Sequence, residues 1–191
     1  MSKVAIIGRS PFVNKVDIEA IKQDYTTIGI NNAGIDFETD YLFSCDFHYP
    51  VKGNTKIYLP WWVDGCEKTT YFKFTPDSEP IKQKYMKLTS KKQVLLLHYA
   101  FFTVTCAVNW ALLQGFDECL LIGIDHSKQR FDHYDGTIDT EDVADAVLND
   151  RCKEFLANCA PEMQCYQTNP DVAEEWPLPY FSLKHYYKRI Y

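Results

Sequence analysis

The densest group of side chains suited to chemistry lies in the segment 125–136, which has the sequence DHSKQRFDHYDG. Histidine exchanges protons readily near neutral pH, and this segment contains His126 and His133. Carboxylates and basic side chains that could meet phosphates are also present, namely Asp125, Asp132, Asp135, Lys128 and Arg130. We predict Asp125, His126 and His133 as catalytic residues, with His133 the first candidate for a general acid or base. The alternative is a solvated loop.

A second candidate is the turn formed by Gly8, Arg9, Ser10 and Pro11, which follows an apolar run and precedes a predicted helix. Glycine permits close approach of the backbone, so N–H groups of this turn could face a phosphate. An ordinary strand-to-helix turn is the alternative. The sequence matches neither GxGxxG nor a P-loop, so it supports neither dinucleotide binding nor Walker-type binding.

Polar side chains also follow the next two apolar runs. Asn31 and Asn32 could hydrogen-bond to a base or a ribose, although asparagine is equally suited to a plain turn. Asp46 and His48 alternate, so on an extended segment they would share one face. That pair could bind a metal ion or exchange protons, or it could simply cap a loop.

Apolar runs and helical spacing predict the elements that position these residues. Strands are predicted at 3–8, 26–30, 41–45, 119–124 and 164–167, with weaker candidates at 56–59 and 70–74. Helices are predicted at 17–23, at 101–113 with Gly115 as the stop, and after a cap at Asp139 or Thr140. The buried stripe of that last helix is predicted as Ala144, Val147, Leu148, Cys152, Phe155 and Leu156. No structure is predicted for 75–90.

The alternation of strands and helices predicts a single three-layer α/β domain spanning residues 1–191. We expect a Rossmann-like, mostly parallel sheet with helices on both faces. In such sheets a ligand binds beyond the carboxyl ends of the strands. The polar segments above all follow predicted strands, so this rule selects them as one site.

Composition restricts the class of protein. The chain has 191 residues, of which 46% are hydrophobic and 24% charged, as in folded globular proteins. Its net charge of -6 disfavours nucleic acid as a partner. No apolar run is long enough for a membrane span, and the N-terminus enters a predicted strand without room for a signal peptide. We therefore expect a cytoplasmic protein.

Cysteines and the C-terminus carry two further expectations. The seven cysteines include no CxxC pair, so we expect reduced, buried thiols rather than a zinc site. The C-terminal sequence LKHYYKRIY combines Lys184, Lys188 and Arg189 with tyrosines. This segment could contact an anionic membrane surface or a partner subunit in a homo-oligomer, or it could be solvated.

Several motifs resemble known families in their order and spacing. The opening VAIIGRSP…ID resembles that of the family 42 bacterial sialyltransferases and of the wider DUF115 group, which includes archaeal 6-hydroxymethylpterin diphosphokinases. Asn31 in IGINNA occupies the position of the asparagine that ends the second strand in those families. The stretch FFTVTCAVNWALLQGFDECLLIGIDHS is similar to their hydroxyl-opened helix and apolar strand, with Thr103 as the hydroxyl residue and Gly123 and Asp125 closing the strand. The tail NCAPEMQCY…PLPYFSL is similar to their closing strand and loop.

This resemblance implies a GT-A variant of the Rossmann-like fold that binds a nucleotide or a nucleotide-sugar donor of CMP, UDP or ATP type. The residues that we predict to bind the donor, from their own chemistry or from this resemblance, are Gly8, Arg9, Ser10, Pro11, Asn31, Asn32, Asp46, Thr103 and Gly123. The chain departs from the family pattern at Arg9-Ser10, where Asn-Gly is expected. It also has Ser127 and His133 where the sialyltransferases have tyrosines.

The function expected from these observations is group transfer from a nucleotide or nucleotide sugar to an unknown acceptor, most similar to a glycosyltransferase. One alternative is diphosphate transfer from ATP, which would require Mg²⁺ and carboxylates such as Asp46 or Asp125. Another is a nucleotide-sensing or scaffold protein without catalysis, because a fold alone does not define a function.

Overall fold

The computed structural model describes residues 2–45, 54–60, 69–75, 86–89, 92–98, 103–125, 146–159 and 162–188. Within these residues, one sheet of nine strands organises the chain. The strands are β1 (Lys3–Ile7), β2 (Thr26–Ile30), β3 (Tyr41–Phe43), β4 (Lys56–Pro60), β5 (Thr69–Thr75), β6 (Met86–Thr89), β7 (Lys92–His98), β8 (Glu118–Ile122) and β9 (Gln164–Gln167).

The strand order in the sheet is β6-β7-β5-β4-β3-β2-β1-β8-β9. Only β6 runs antiparallel to its neighbour, and every other pair is parallel. In the register of the central strands, Ile7 of β1 lies between Gly29 of β2 and Ile122 of β8. The predicted mostly parallel sheet is thereby confirmed.

Four α-helices lie along the described chain: α1 (Ile18–Asp24), α2 (Ala33–Asp36), α3 (Thr103–Gln114) and α4 (Ala146–Asn158). Helix α1 begins where the Asp17 carboxylate accepts a hydrogen bond from the backbone N–H of Ala20, which is the usual N-cap contact. Helix α3 ends at Gly115, whose φ of 81° is the left-handed conformation that glycine adopts readily. A short 3-10 helix, Pro11–Lys15, connects β1 to α1.

The side chains of β1 alternate between two hydrophobic cores. Val4 and Ile6 belong to the larger core, which also contains the buried faces of α3 and α4. Ala5 and Ile7 belong to the second core, beneath the 3-10 helix and α1. Helices therefore cover both faces of the sheet, as predicted for a Rossmann-like α/β fold.

The C-terminal segment completes the second core. Leu183 is fully buried there, and the backbone N–H of Lys188 donates to the carbonyl oxygen of Lys15 at 3.0 Å. The Tyr186 hydroxyl donates to the Asp24 carboxylate at 2.6 Å, and the Tyr187 ring packs edge-on against Phe12. Tyr186 and Tyr187 thus attach the C-terminal segment to the rest of the protein.

Several element boundaries differ from the prediction. Strand β8 ends at Ile122 rather than at residue 124, because Gly123 turns the chain with a φ of 67°. Strand β3 ends at Phe43, two residues early. Strands β6 and β7 were not predicted; they form an antiparallel pair separated by two residues, without the Asn-Gly signal of a tight hairpin.

The predicted burial of the α4 stripe and of the cysteines is confirmed where the structure describes them. Cys152, Phe155 and Leu156 are buried, while the predicted cap at Asp139 or Thr140 lies outside the described residues. Ala144 and the side chains of Val147 and Leu148 lie outside them as well. The described cysteines are all buried free thiols, namely Cys45, Cys106, Cys119, Cys152, Cys159 and Cys165.

Candidate functional site

The sheet has a topological switch point between β1 and β8. From β1 the chain continues through β2, β3, β4 and β5 on one side, whereas β8 and β9 lie on the other side. Connections that diverge in this way leave a crevice at the carboxyl ends of the two strands, where Rossmann-like proteins bind ligands. Ser10 follows β1 and Asp125 follows β8, so both lie at this edge of the sheet.

The Asp125 carboxylate is the centre of the switch point, and the residue is only 7% exposed. Its Oδ2 accepts hydrogen bonds from the Ser10 hydroxyl and, at 2.9 Å, from the Asn169 side-chain amide. Its carbonyl oxygen accepts from Trp176 Nε1 at 2.9 Å. Its Oδ1 is also buried, and no described residue hydrogen-bonds to it. Asp125 is therefore held in place, and one of its carboxylate oxygens is buried without a hydrogen bond from a described residue.

Burial raises the pKa of Asp125 above its ordinary value, because it disfavours the charged carboxylate. The hydrogen bonds from Ser10 and Asn169 oppose this shift, the charge of Asp171 adds to it, and the charge of Lys15 opposes it. Lys15 and Asp171 form an exposed ion pair of 3.8 Å. Because Oδ2 already accepts two hydrogen bonds, a proton taken up by Asp125 is expected on Oδ1.

The turn after β1 is packed directly against the turn after β8. The backbone N–H of Gly8 donates to the carbonyl oxygen of Ile122 at 2.8 Å, and that of Ser10 donates to Gly123 at 3.0 Å. A Cβ atom on Gly8 would lie 2.4 Å from the Gly123 carbonyl oxygen, which is far too close. Both glycines are thus required for the two strand ends to meet.

Ser10 also caps the 3-10 helix. Its hydroxyl oxygen accepts from the backbone N–H of Phe12 at 3.2 Å while its proton goes to Asp125. Pro11 opens the helix and has no N–H, and Arg9 is half-buried beside it. The N–H groups of Gly8 and Ser10 in the predicted phosphate turn therefore already hydrogen-bond within the protein.

The asparagines predicted after β2 lie one strand further along the same edge. Asn31 adopts a left-handed conformation, with φ of 52°, and its N–H donates to the carbonyl oxygen of Phe43 at 2.9 Å. Its Oδ1 is buried and makes no hydrogen bond within the described part of the chain. The half-buried Asn32 precedes α2, and its side chain does not cap that helix.

The structure brings together the predicted residues that follow β1 and β8. Thr103 is 8% exposed and begins α3, which returns from the carboxyl end of β7 and packs on β1, β2 and β3. The predicted residues Asp46, His126 and His133 lie outside the described residues, as does His48. Among the residues described, no three His, Cys, Asp or Glu side chains are grouped as metal ligands.

Sequence analysis missed Asn169, which follows β9 and binds Asp125. Gln167 orders the chain before it: its Oε1 accepts from the N–H groups of Thr168 and Asn169, and its Nε2 donates to the Ile124 carbonyl oxygen at 2.9 Å. The criterion that identified the other segments, polar residues directly after a predicted strand, applies equally to Asn169 and could have identified it. Trp176, further along, carried no such signal.

A groove of about 630 Å³ lies between α4 and the segment 174–177, and its lining includes Trp176, which bonds to the Asp125 carbonyl oxygen. Lys153 is buried there, with its Nζ 3.0 Å from the Glu175 carbonyl oxygen and 5.4 Å from the centre of the Trp176 ring. The four carboxylates lining the groove are exposed, namely Asp150, Glu154, Glu174 and Glu175. The buried Lys153 ammonium group in this groove already donates a hydrogen bond to a carbonyl oxygen, whereas Asp125 Oδ1 has no hydrogen bond from a described residue. We therefore place the candidate site at Asp125.

Fold and site together define a Rossmann-like α/β protein whose switch point carries a buried carboxylate. Comparison with known proteins found no matching family model, curated protein or solved structure. None of the helices in the described ranges is both long and apolar enough to cross a membrane.

Proposed function

We propose that this protein binds a nucleotide or a nucleotide-activated donor at the β1/β8 switch point and transfers a group from it. The observation that carries the proposal is the Asp125 carboxylate, buried at the carboxyl edge of the sheet with Oδ1 unbonded by any described residue. A buried carboxylate costs stability unless it is fully paired, so such groups are concentrated at functional sites. The N-terminal sequence VAIIGRSP and the segment Gly123-Ile124-Asp125 resemble family 42 sialyltransferases, and this resemblance supports the same ligand class.

A thermal-shift screen with CMP, UDP, GDP and ATP, each with and without Mg²⁺, tests the binding step. A ligand at about 100 times its Kd adds about 2.7 kcal/mol of stability. For a chain of this size that corresponds to a rise in Tm of about 5–11 °C. Asp125→Asn should markedly reduce the shift, whereas the matched control Asp150→Asn, which changes an exposed carboxylate in the groove beside α4, should keep it in full.

The pattern of binding also separates the candidate functions. Binding of CMP or UDP favours glycosyl transfer, and Mg²⁺-dependent binding of ATP alone favours diphosphate transfer. If no nucleotide raises the Tm of the wild type, the proposal is wrong. Binding without turnover of any donor favours a sensing or scaffold protein.

The catalytic step is tested at His133, which lies beyond Asp125 in a segment long enough to reach over a ligand. We propose that His133 transfers a proton to the departing phosphate or from the acceptor hydroxyl. His133→Ala should then lower turnover by about 10²- to 10⁴-fold and leave nucleotide affinity unchanged. His185→Ala, which removes an exposed histidine of the C-terminal segment, is the matched control. Equal rates for wild type and His133→Ala would exclude the assignment.

A further inference from the structure

Two buried acceptor oxygens at the switch point have no hydrogen bond from a described residue. Asp125 Oδ1 is a buried acceptor on the end of β8, and the Asn31 Oδ1 is a second buried acceptor on the end of β2. Strand β1 lies between them, so at a strand spacing of about 4.8 Å the two segments are about 10 Å apart. That separation is comparable to the length of a nucleoside.

Backbone donors are scarce at the same place. The N–H groups of Gly8 and Ser10 bond to carbonyl oxygens across the crevice, and that of Phe12 bonds to the Ser10 hydroxyl. The Ser10 hydroxyl proton and the Asn169 amide are both directed to Asp125 Oδ2. The turn therefore lacks the array of free N–H groups with which a helix N-terminus or a P-loop holds a phosphate.

The charges near Asp125 also disfavour an anion beside it. Asp125 is itself acidic, Asp171 is the second carboxylate that acts on it, and Lys15 is paired with Asp171. A phosphate oxygen in contact with Asp125 Oδ1 would meet a like charge in a poorly solvated position. A neutral hydroxyl would instead donate a hydrogen bond to that oxygen, and hydrogen bonds to charged acceptors are the stronger ones.

We infer that the part of the ligand in contact with Asp125 is a sugar, bound through a hydroxyl group that donates to Oδ1, and that the phosphate lies elsewhere. This inference rests on the proposed nucleotide ligand and specifies its orientation. Asn169 is then a positioning residue, because its amide and the Ser10 hydroxyl hold Oδ2 and thereby present Oδ1 to the sugar.

The test compares ligands that differ by single groups, in EDTA so that no Mg²⁺ bridge can form. Titration calorimetry measures the affinities of CMP, UDP, GDP and ATP and of the corresponding nucleosides. The 2′,3′-dideoxy forms of these nucleotides and nucleosides are measured in the same way. We expect the best-binding nucleotide to lose about 10- to 100-fold in affinity without its ribose hydroxyls. In Asp125→Asn the same deletion should change affinity less than about threefold, since the charged acceptor is gone.

Each outcome separates the two proposals. If nucleotides bind and their dideoxy forms bind equally well, the inference is wrong and the nucleotide function stands. If the nucleosides do not bind at all, and removing the ribose hydroxyls does not change nucleotide affinity, the phosphate would be placed at the switch point. That result would also overturn the inference. If no nucleotide binds but methyl β-D-riboside binds in a manner that requires Asp125, the nucleotide function fails and sugar recognition stands; if neither binds, both fail.

Discussion

Replacing Gly8 by alanine tests whether the turn after β1 is a structural contact or a phosphate cradle. The added Cβ would lie 2.4 Å from the Gly123 carbonyl oxygen and 2.7 Å from Ile124 Cγ1. A backbone atom cannot rotate away as a side chain can, so the strand ends must separate. Overpacking of this kind costs about 1–3 kcal/mol. In a chain of this size that lowers Tm by about 2–12 °C.

Separation of the turns would also weaken the hydrogen bond from the Ser10 N–H to Gly123 and so displace the Ser10 hydroxyl from Asp125. We therefore expect Gly8→Ala to lower both thermal stability and ligand affinity. Gly115→Ala is the matched control: its cost comes from a left-handed backbone with no atom within 4 Å of the added Cβ, and affinity should remain unchanged. Differential scanning fluorimetry and titration calorimetry measure the two effects. If Gly8→Ala keeps the Tm of the wild type but loses ligand binding, the turn is not primarily a structural contact, and the prediction that it binds a phosphate is favoured.

Two further predictions concern stability. Because burial raises the pKa of Asp125, its contribution to folding is present at low pH and is lost as pH rises through the folded-state pKa. The free energy of unfolding of Asp125→Asn relative to wild type should therefore increase with pH, and urea melts that show a pH-independent difference would contradict this. Ending the chain at Ser182 removes the fully buried Leu183 and should lower the free energy of unfolding by at least about 2–5 kcal/mol. An unchanged urea midpoint would disprove this. The same truncation in vesicle co-sedimentation tests the proposed membrane contact, but only if the shortened chain still folds.

The fold was predictable from local patterns because most of its elements have a strong local signal. The runs KVAII and ECLLI are apolar strands buried on both faces, and the helix ending at Gly115 has both a hydrophobic face and a glycine stop. Strand β6 has no such signal. It is a four-residue strand that, among the described strands, pairs with β7 alone, so its conformation depends on that pairing.

The site was predictable only in part. The rule for parallel sheets selected Ser10, Asn31 and Asp125 because each follows a strand, and the structure places all three at one edge. It could not select their hydrogen-bond partners. Asn169 is 44 residues from Asp125 in the chain and meets it only because β9 pairs with β8.

The sequence by itself determined most strands and helices, the parallel α/β class and the segments at the strand ends, since these depend on residue spacing and on the conformational preferences of single residues. The tertiary structure alone decided what each polar group does there. It committed the N–H groups of Gly8 and Ser10 to carbonyl oxygens across the crevice and left Asp125 Oδ1 as a buried acceptor. The physical reason is that hydrogen bonds and desolvation depend on distances of a few ångströms between atoms far apart in the chain, which no local pattern records.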